Sequence, residues 1–317
     1  MAERPPVTWL LPVRNGLPFI PLTLESIARQ TYPNHKVIAW DNGSTDGTLQ
    51  LLKEWIPARI DGIIVHDRPL RLGPSLAAMV ELSGTELCAI VHGDDVNHPW
   101  RLDRQVAFLK EHPEVGVLGG QSDFIDENGQ PIHGWQFACD DATIRWRGHW
   151  MAHIMHAAVM FRKEVILRAG NYRDYQPYED MELWIRASRL TEFANLSESV
   201  IQYRRSSTSQ TGRTEDFKSI FRPGAEVNAA NLFLGLSAAD AMALWDASYP
   251  DNGPAPVKFR HFRQLDRAAV NFARKVGKPD NYFSSTPFFA EQRYHMRRRW
   301  LEQSGLGFVM GLRKSKF

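Results

Sequence analysis

Over the first 120 residues the apolar positions fall into short runs, separated by segments in which they recur every three or four residues. Runs at 7–13, 36–40, 60–66 and 86–91 read as strands. Between them Leu22, Leu24, Ile27 and Ala28 fit one helix, Leu49, Leu52 and Ile56 a second, and the stretch opened by Leu72-Gly73-Pro74-Ser75 and ending at Leu82 a third. Breakers stand where the period changes, at Arg14-Asn15-Gly16-Leu17-Pro18 and Tyr32-Pro33-Asn34-His35, and Ser44 or Thr45 is expected to cap the second helix. The fourth run is nearly continuous in apolar residues, as a strand covered on both faces is. Strand and helix alternating four times predict a parallel, doubly wound α/β sheet with right-handed crossovers.

Further along, Trp100, Leu102, Val106, Phe108 and Leu109 predict a helix closed by His112-Pro113, and residues 115–120 a further strand. The pattern then changes. Residues 121–150 alternate turn signals with Trp135, Trp146 and Trp150, consistent with a mixed α+β segment covering one side of the sheet. Residues 157–161 read as a strand and 162–169 as a helix. Glu179-Asp180-Met181-Glu182 then opens a helix marked by Leu183, Trp184 and Ala187, with its acids in the first turn. Segments 225–247 and 259–276 look helical.

With 317 residues, 43% of them apolar, the chain has room for one large or two small domains of roughly 100–200 residues each. Cys88 and Cys139 are too few for a disulfide framework and lack zinc spacing, which points to a reducing compartment. Residues 1–6 do not read as a leader, and no run approaches the ~18 apolar residues of a membrane span, so a secreted or integral membrane protein is not expected. The net charge of +2 conceals an asymmetry. Residues 257–317 hold 14 of the 38 basic and 4 of the 36 acidic side chains, leaving 24 basic and 32 acidic groups in the rest. An acidic body with a basic end calls for an anionic partner: lipid headgroups, nucleic acid, or the acidic body itself.

Asp41-Asn42-Gly43-Ser44-Thr45-Asp46 and His92-Gly93-Asp94-Asp95 each put carboxylates just past a strand end, where open α/β sheets bind ligands. Acid there, without phosphate-cradling glycines, suggests a nucleotide bridged by a metal ion. Pro12-Val13-Arg14-Asn15-Gly16 lacks the Gly-x-Gly-x-x-Gly turn of a nicotinamide dehydrogenase, which disfavours that class. A nucleic-acid binder would rest on the basic end alone.

The strand ending in Pro12, the Asp41 turn, the His92-Gly93-Asp94-Asp95 turn with Pro99, and Glu179-Asp180 before Leu183-Trp184-Ile185-Arg186 stand in an order that resembles the inverting family-two glycosyltransferases of the GT-A fold. Gln30-Thr31-Tyr32-Pro33, Met160-Phe161-Arg162, Gly170-Asn171-Tyr172 and Tyr203-Arg204 extend the resemblance over about residues 7–211. It implies a Rossmann-like, mostly parallel sheet flanked by helices. Residues 1–222 would form the catalytic domain, with a nucleotide half at about 1–120 and an acceptor half at about 121–222, and 223–317 a helical, basic C-terminal region. The implied activity moves a sugar from a nucleotide diphosphate donor, UDP-type favoured, to an acceptor hydroxyl with inversion, in the synthesis of cell-surface polysaccharide, lipopolysaccharide or glycolipid.

Carried over residue by residue, the resemblance makes Asp94 the second acid of an Asp-x-Asp motif whose first acid is replaced by His92, with Asp95 a further ligand of Mn2+ or Mg2+ or an orienting group. Imidazole is the softer donor and suits Mn2+ better; a hydrogen bond to ribose, or a buried structural histidine, are the other readings of His92. Asp41 matches the aspartate that accepts from the imide N–H of a pyrimidine, against a plain turn role shared with Ser44 and Asp46. Pro12, Val13 and Arg14 would line base and ribose, and Arg71 would reach the nucleotide. Asp180 is the implied general base, a stabilising acid at a helix N-terminus being its reading without the resemblance, and Glu179 orients the acceptor or the helix. His153 and His156 are placed to reach sugar or acceptor, packing being the alternative. Where relatives carry a histidine after the Tyr-Arg pair this chain has Arg205-Ser206, so Arg204 and Arg205 are expected to face the leaving diphosphate. Met79 stands where relatives often have Asn, an exchange expected to touch packing near the donor.

The polar segment 206–222 before Pro223-Gly224 reads as a mobile loop over the donor. Tyr294-His295-Met296-Arg297-Arg298-Arg299-Trp300-Leu301 with Phe308-Val309-Met310 interleaves cations and apolar residues as an interfacial helix does, an oligomer contact or packing on the catalytic domain being the alternative. The expected setting is cytoplasmic, peripheral on the inner membrane face. The expected partners are a nucleotide-sugar, a saccharide or lipid-linked acceptor, an anionic membrane and a second copy of the chain, and not nucleic acid. A non-catalytic sugar-nucleotide binder and a nucleotidyltransferase remain the competing readings, although the Gly-rich, Arg-bearing loop of the latter is missing.

Overall fold

A computed structural model describes residues 4–150, 153–174, 179–206, 226, 228–229, 232–233, 235–248 and 256–304. Four parallel strands, β1 (Val7–Val13), β2 (His35–Asp41), β3 (Gly62–Val65) and β4 (Leu87–Ile90), stand in the order β3-β2-β1-β4. Helices α1 (Ile20–Ala28), α2 (Thr48–Trp55) and α3 (Leu72–Leu82) make the crossovers. Alternate residues of the central strands feed two separate cores. Trp9, Leu11, Val37 and Ala39 pack with Leu24, Ile27 and Leu52 of α1 and α2 and with Leu102 and Val106 of α4 (Arg101–Glu111), while Leu10, Ile38 and Trp40 pack with Leu76, Met79 and Val80 of α3. Burial on both faces is why these strands read as unbroken apolar runs. Met79, at the position noted for Asn, is a fully buried member of the second core.

The expectation of a parallel sheet holds for this half and is modified in the next. β5 (Val96–Asn97), β6 (Val115–Ile125), β7 (Met160–Arg162) and β8 (Glu192–Arg204) extend the sheet to eight strands in the order β3-β2-β1-β4-β7-β6-β8-β5. β7 lies antiparallel to both β4 and β6, β6 pairs parallel with β8, and β5 caps β8 antiparallel. Residues 121–150 supply the rest of β6 and α5 (Asp141–Arg147); α6 (Lys163–Arg168) and α7 (Glu179–Ala187) cover the face already carrying α3, through Ile166, Leu183 and Trp184. The second helix is capped differently from expectation. Its N-cap is Gly47 at φ +93°, and Asp46 Oδ1 accepts from Thr48 N at 3.0 Å and Thr48 Oγ1 at 2.6 Å, while Ser44 turns back to Asp41.

One cation organises the sheet centre. Arg101 is wholly buried, lies 4.9 Å from the Trp9 ring, and donates to Asn97 Oδ1, Gln105 Oε1 and the carbonyls of Ala157, Ile90 and Val159 at 2.5–3.1 Å. Burial lowers its pKa to about 9, with Asp95 opposing, so it stays charged at neutral pH. Carbonyls alone could not hold a guanidinium this deep if any donor were left over, and five acceptors meet its five N–H groups.

The chain divides into two compact units, Met1–Arg145 with Ala152–Phe217, and Trp146–Met151 with Lys218–Phe317. The second is helical: α8 (Ala238–Ser248), α9 (Phe259–Lys275) and α10 (Pro287–Gln303) surround Trp146, Phe272, Phe283 and Phe289, Trp146 stacking on Phe283 with centroids 4.9 Å apart. α10 starts at Thr286, whose hydroxyl accepts from Phe289 N, with Pro287 at its first position. Met296 and Leu301 of the expected interfacial segment are buried inside this unit, whereas Phe259 and Tyr294 are exposed. Among the described residues no helix is long and apolar enough to cross a membrane.

Candidate active site

β1 and β2 stop side by side, Val13 opposite Asp41, and Asn42 N donates to Val13 O at 2.8 Å. The loops beyond them are cross-linked: Asn15 N to Ser44 Oγ (2.9 Å), Thr45 N to Asn15 Oδ1 (2.8 Å), Gly16 N to Thr48 Oγ1 (2.8 Å) and Leu17 N to Asp46 Oδ2 (3.0 Å). Asp41 is buried and accepts the Ser44 hydroxyl and, at 3.2–3.3 Å, its N–H. A carboxylate offers roughly four lone-pair sites, so Asp41 keeps capacity for a ligand N–H. Pro12 and Val13 are buried at this edge and Arg14 is exposed beside them. Asn42 ties the edge to α3, accepting from Leu70 N at 3.0 Å and reaching Ser75 Oγ at 3.3 Å. Arg71, expected to meet the nucleotide, is exposed and pairs with Asp174 at 3.1 Å.

The second acidic strand end is a turn held from two sides. Thr23 of α1 donates to Asp95 O at 2.8 Å; from β8, Arg204 N donates to Asp95 Oδ1 at 2.9 Å and Arg204 Nε to Asp94 O at 3.0 Å. His92, Asp94 and Asp95 each offer a ligand atom, and these atoms lie within 4.8 Å of one another. Asp95 Oδ2 is buried without a hydrogen-bond partner, the kind of orphaned acceptor that a cation satisfies. Burial and the neighbouring Asp94 raise the Asp95 pKa, and burial lowers that of His92, leaving a neutral imidazole, the form that ligates. The donor set of one nitrogen and two carboxylates therefore fits a divalent cation of the Mn2+ type. Arg204, expected to face a diphosphate, is buried and holds the carbonyls of Asp94, Asp126 and Glu127, its guanidinium 4.5 Å from the Phe19 ring; it is a brace for the turn. Arg205 is exposed, 5.9 Å from the Trp135 ring.

From His92 a chain of hydrogen bonds runs inward. His92 Nε2 meets His156 Nδ1 at 3.1 Å, and His156 Nε2 meets Tyr172 Oη at 3.0 Å. His156 was expected to reach sugar or acceptor; buried, with both ring nitrogens engaged, it has no nitrogen to offer either. His153 is buried as well. Burial, then His92, hold His156 well below the usual histidine range. Tyr172 is placed by the Gly170-Asn171 turn, both residues at positive φ, which Arg186 of α7 clamps by donating to the carbonyls of Ala169 and Asn171.

The third acidic group belongs to the same edge. A Cβ on Gly73, at the start of α3, would overlap the Arg173 carbonyl and lie 3.5 Å from Glu179 Cβ, so Glu179 sits against the first turn of the helix that follows β3. Burial raises Glu179 to about 8, the charge of Asp180 adding to it; burial raises Asp180 to about 6, opposed by the Met181 N–H bonded to Oδ1 at 2.7 Å. Burial foremost, then Asp180 and Glu179, raise the pKa of Tyr172 well above a phenol's. Tyr172 in turn is two hydrogen bonds from His92. The His92 turn can bind a cation, and Asp180, raised by burial to about 6, is a carboxyl that can exchange a proton near neutral pH. Residues 207–222 and Phe308-Val309-Met310, expected as lid and interfacial segment, lie outside the described residues.

The Glycosyl transferase family 2 profile matches residues 8–169. The chain is 30% identical over 193 residues to the putative glycosyltransferase EpsE of Bacillus subtilis, a match covering 59% of this chain and 68% of that one. Among solved structures it is similar to S. aureus TarS 1-349 in complex with UDP-GlcNAc (TM-score 0.61, 17% identity, 95% of this chain and 92% of that one). It is also similar to the mannosyltransferase PcManGT of Pyrobaculum calidifontis in complex with GDP-Man and Mn2+ (TM-score 0.51, 16% identity, 98% and 89%).

Proposed function

The chain belongs to glycosyl transferase family 2 and has the GT-A fold, and from that premise we propose that it transfers a sugar with inversion from a UDP-type donor to a saccharide or lipid-linked saccharide hydroxyl, in the assembly of surface polysaccharide or glycolipid. The observation that supports the reading is that Asp41 and the His92-Asp94-Asp95 turn lie at and just past the ends of the strands flanking β1, with Glu179 against the first turn of α3. Asp41 accepts from the base, with the buried strand ends Pro12 and Val13 beneath it and Arg14 at the rim. Asp94, Asp95 and His92 would hold Mn2+ or Mg2+, which when bound neutralises the leaving diphosphate. Asp180 takes the acceptor proton as that oxygen bonds to the anomeric carbon and the bond to the diphosphate breaks, with Glu179 beside it orienting the acceptor. Catalysis is assigned to residues 1–222 and a membrane-facing or oligomer role to 223–317. A sugar-nucleotide binder without activity is the runner-up; Asp180, raised by burial to about 6 and in no ion pair among the described residues, favours the enzyme.

Thermal stabilisation by UDP and GDP, each with and without Mn2+, tests the donor class, and the anomer of the product by NMR tests inversion. Stabilisation by GDP alone would overturn the pyrimidine assignment. Asp41→Asn retains an acceptor for Ser44 but loses the charge, so the KM for the donor should rise about 10- to 100-fold, the worth of one charge-assisted hydrogen bond, with kcat nearly unchanged. An equal fall in kcat would move Asp41 out of ground-state binding.

The proposed setting is the cytoplasmic face of a membrane. The basic second unit exposes Phe259 and Tyr294 among cations, including Arg263 at 6.0 Å from the Phe259 ring. The full chain should float with vesicles containing anionic lipid at low salt and be released as salt screens the attraction. Equal recovery with neutral vesicles would argue against an electrostatic membrane contact.

A further inference from the structure

We propose that His156 and Tyr172 are positioning residues that fix His92 as an Nδ1 donor toward a divalent cation, with protons ordered from His92 Nε2–H to His156 Nδ1 and from His156 Nε2–H to Tyr172 Oη. The inference rests on the metal reading of the turn and goes beyond it, because it states which nitrogen ligates and what sets it.

Two neutral imidazoles and one phenol in a row allow only two proton orders. In the first, His92 carries its proton on Nε2 and its Nδ1 lone pair is free. In the second, Tyr172 donates to His156 Nε2, His156 Nδ1–H donates to His92 Nε2, and the His92 proton is forced onto Nδ1, where it blocks coordination. Coordination requires the first order. His92 Nε2 is at 3.1 Å from His156 Nδ1, so Nδ1 is the nitrogen left to join Asp94 and Asp95. Its lone pair is free only when Nε2 carries the proton and donates to His156 Nδ1, and His156 Nε2–H in turn donates to the phenol oxygen of Tyr172 at 3.0 Å. Each group is buried or half-buried, so water does not compete for these bonds, and neither imidazole changes its charge. A ligating histidine ordinarily donates its second N–H to a carboxylate or carbonyl; here that acceptor is a second histidine, itself oriented by a tyrosine.

The coupling runs both ways. A cation on Nδ1 makes Tyr172 the acceptor at the end of the row, and an acceptor there favours the ligating tautomer.

The test uses the full chain with Mn2+ in the presence of UDP, affinity being read from Mn2+ electron paramagnetic resonance, and long-range 1H–15N correlation of histidine-labelled protein with Mg2+ and UDP to read the tautomer. Tyr172→Phe, which removes one oxygen from a buried ring, should weaken Mn2+ binding about 10- to 100-fold, the usual cost of losing an outer partner of a metal ligand. His156→Phe should do at least as much, and His156→Gln, whose amide oxygen can still accept, should recover part of the loss. His92 should show the Nε2–H form with Mg2+ bound. An Nδ1–H form, or unchanged affinity in Tyr172→Phe while Asp94→Asn abolishes binding, overturns the inference and leaves the metal site standing. No Mn2+ binding by the wild type overturns both.

Discussion

Asp180→Asn should lower the rate of sugar transfer about 10²- to 10⁴-fold, the contribution of a positioned general base, while donor binding changes little. Asn has the shape of Asp and can still accept from Met181 N, so α7 keeps its first turn, but it cannot take a proton from the acceptor hydroxyl. The wild-type rate should rise with pH through about 6, where burial places the Asp180 carboxyl, and this limb should vanish in the variant. Glu179→Gln separates the two neighbours. Glu179, pushed up to about 8, is protonated when Asp180 is ionised, and Gln imitates that neutral state, so the variant should keep most of its activity. The sign on stability follows from the same shifts. Both carboxyls titrate higher in the folded chain than their ordinary 4.5 and 3.8, so the folded state holds more protons between about 4 and 8, and stability falls as pH rises through that window. Glu179→Gln should therefore lose part of this fall, seen as a flatter pH dependence of Tm. A Glu179→Gln enzyme as impaired as Asp180→Asn, with Asp180→Asn retaining its acid limb, would exchange the roles of the pair.

The nucleotide half of the fold was legible because its strands are buried on both faces and its helices on one, so each period is written cleanly in β1, α1, β2 and β4. β8 was not. Its thirteen residues pass through Ser197-Glu198-Ser199 at the sheet's rim, and its register with β6 shifts at three places, so no apolar run or alternation marks it. α5 hides among the turns and tryptophans of residues 121–150 because Trp146 serves the second unit and Ile144 the first. At the site, Asp41, Asp94 and Asp180 were readable as acids at strand ends and a helix start, positions fixed by local chain direction. What Arg101, Arg204 and Tyr172 do was not readable. Apart from Asn97 and Gln105, four residues either side of Arg101, the side-chain hydrogen-bond partners are backbone carbonyls or a histidine 11 to 110 residues away, and no local spacing encodes a hydrogen bond to a distant carbonyl. For the same reason Arg204 and His156 were given ligand-facing roles, whereas Arg204 gives Nε and Nη1 to backbone carbonyls and both ring nitrogens of His156 are engaged within the fold.

Asp94→Asn should abolish Mn2+-dependent stabilisation by UDP and lower transfer about 10³-fold or more, since a metal's charge stabilisation is worth several kcal/mol and each 1.4 kcal/mol is tenfold in rate. The argument lies in how the three ligands differ. His92 is neutral, and Asp95 is deep, with one oxygen given to Arg204 N and its carboxyl raised by burial and by Asp94 itself. Asp94 is the half-buried carboxylate, its backbone pinned by Arg204 Nε and its side chain placed to turn to a ligand. Replacing it by the amide removes a full charge without altering the turn, so folding should be preserved. The nitrogen donor adds a second axis. With imidazole in place of the first acid, transfer should be supported by Mn2+ at lower concentration than by Mg2+, because Mg2+ demands hard oxygen ligands in near-octahedral order. Transfer by Asp94→Asn at the wild-type rate, or a wild-type rate unaffected by chelator, would remove the cation from this site and leave the diphosphate to be neutralised by arginines, of which Arg204 already gives Nε and Nη1 to backbone carbonyls.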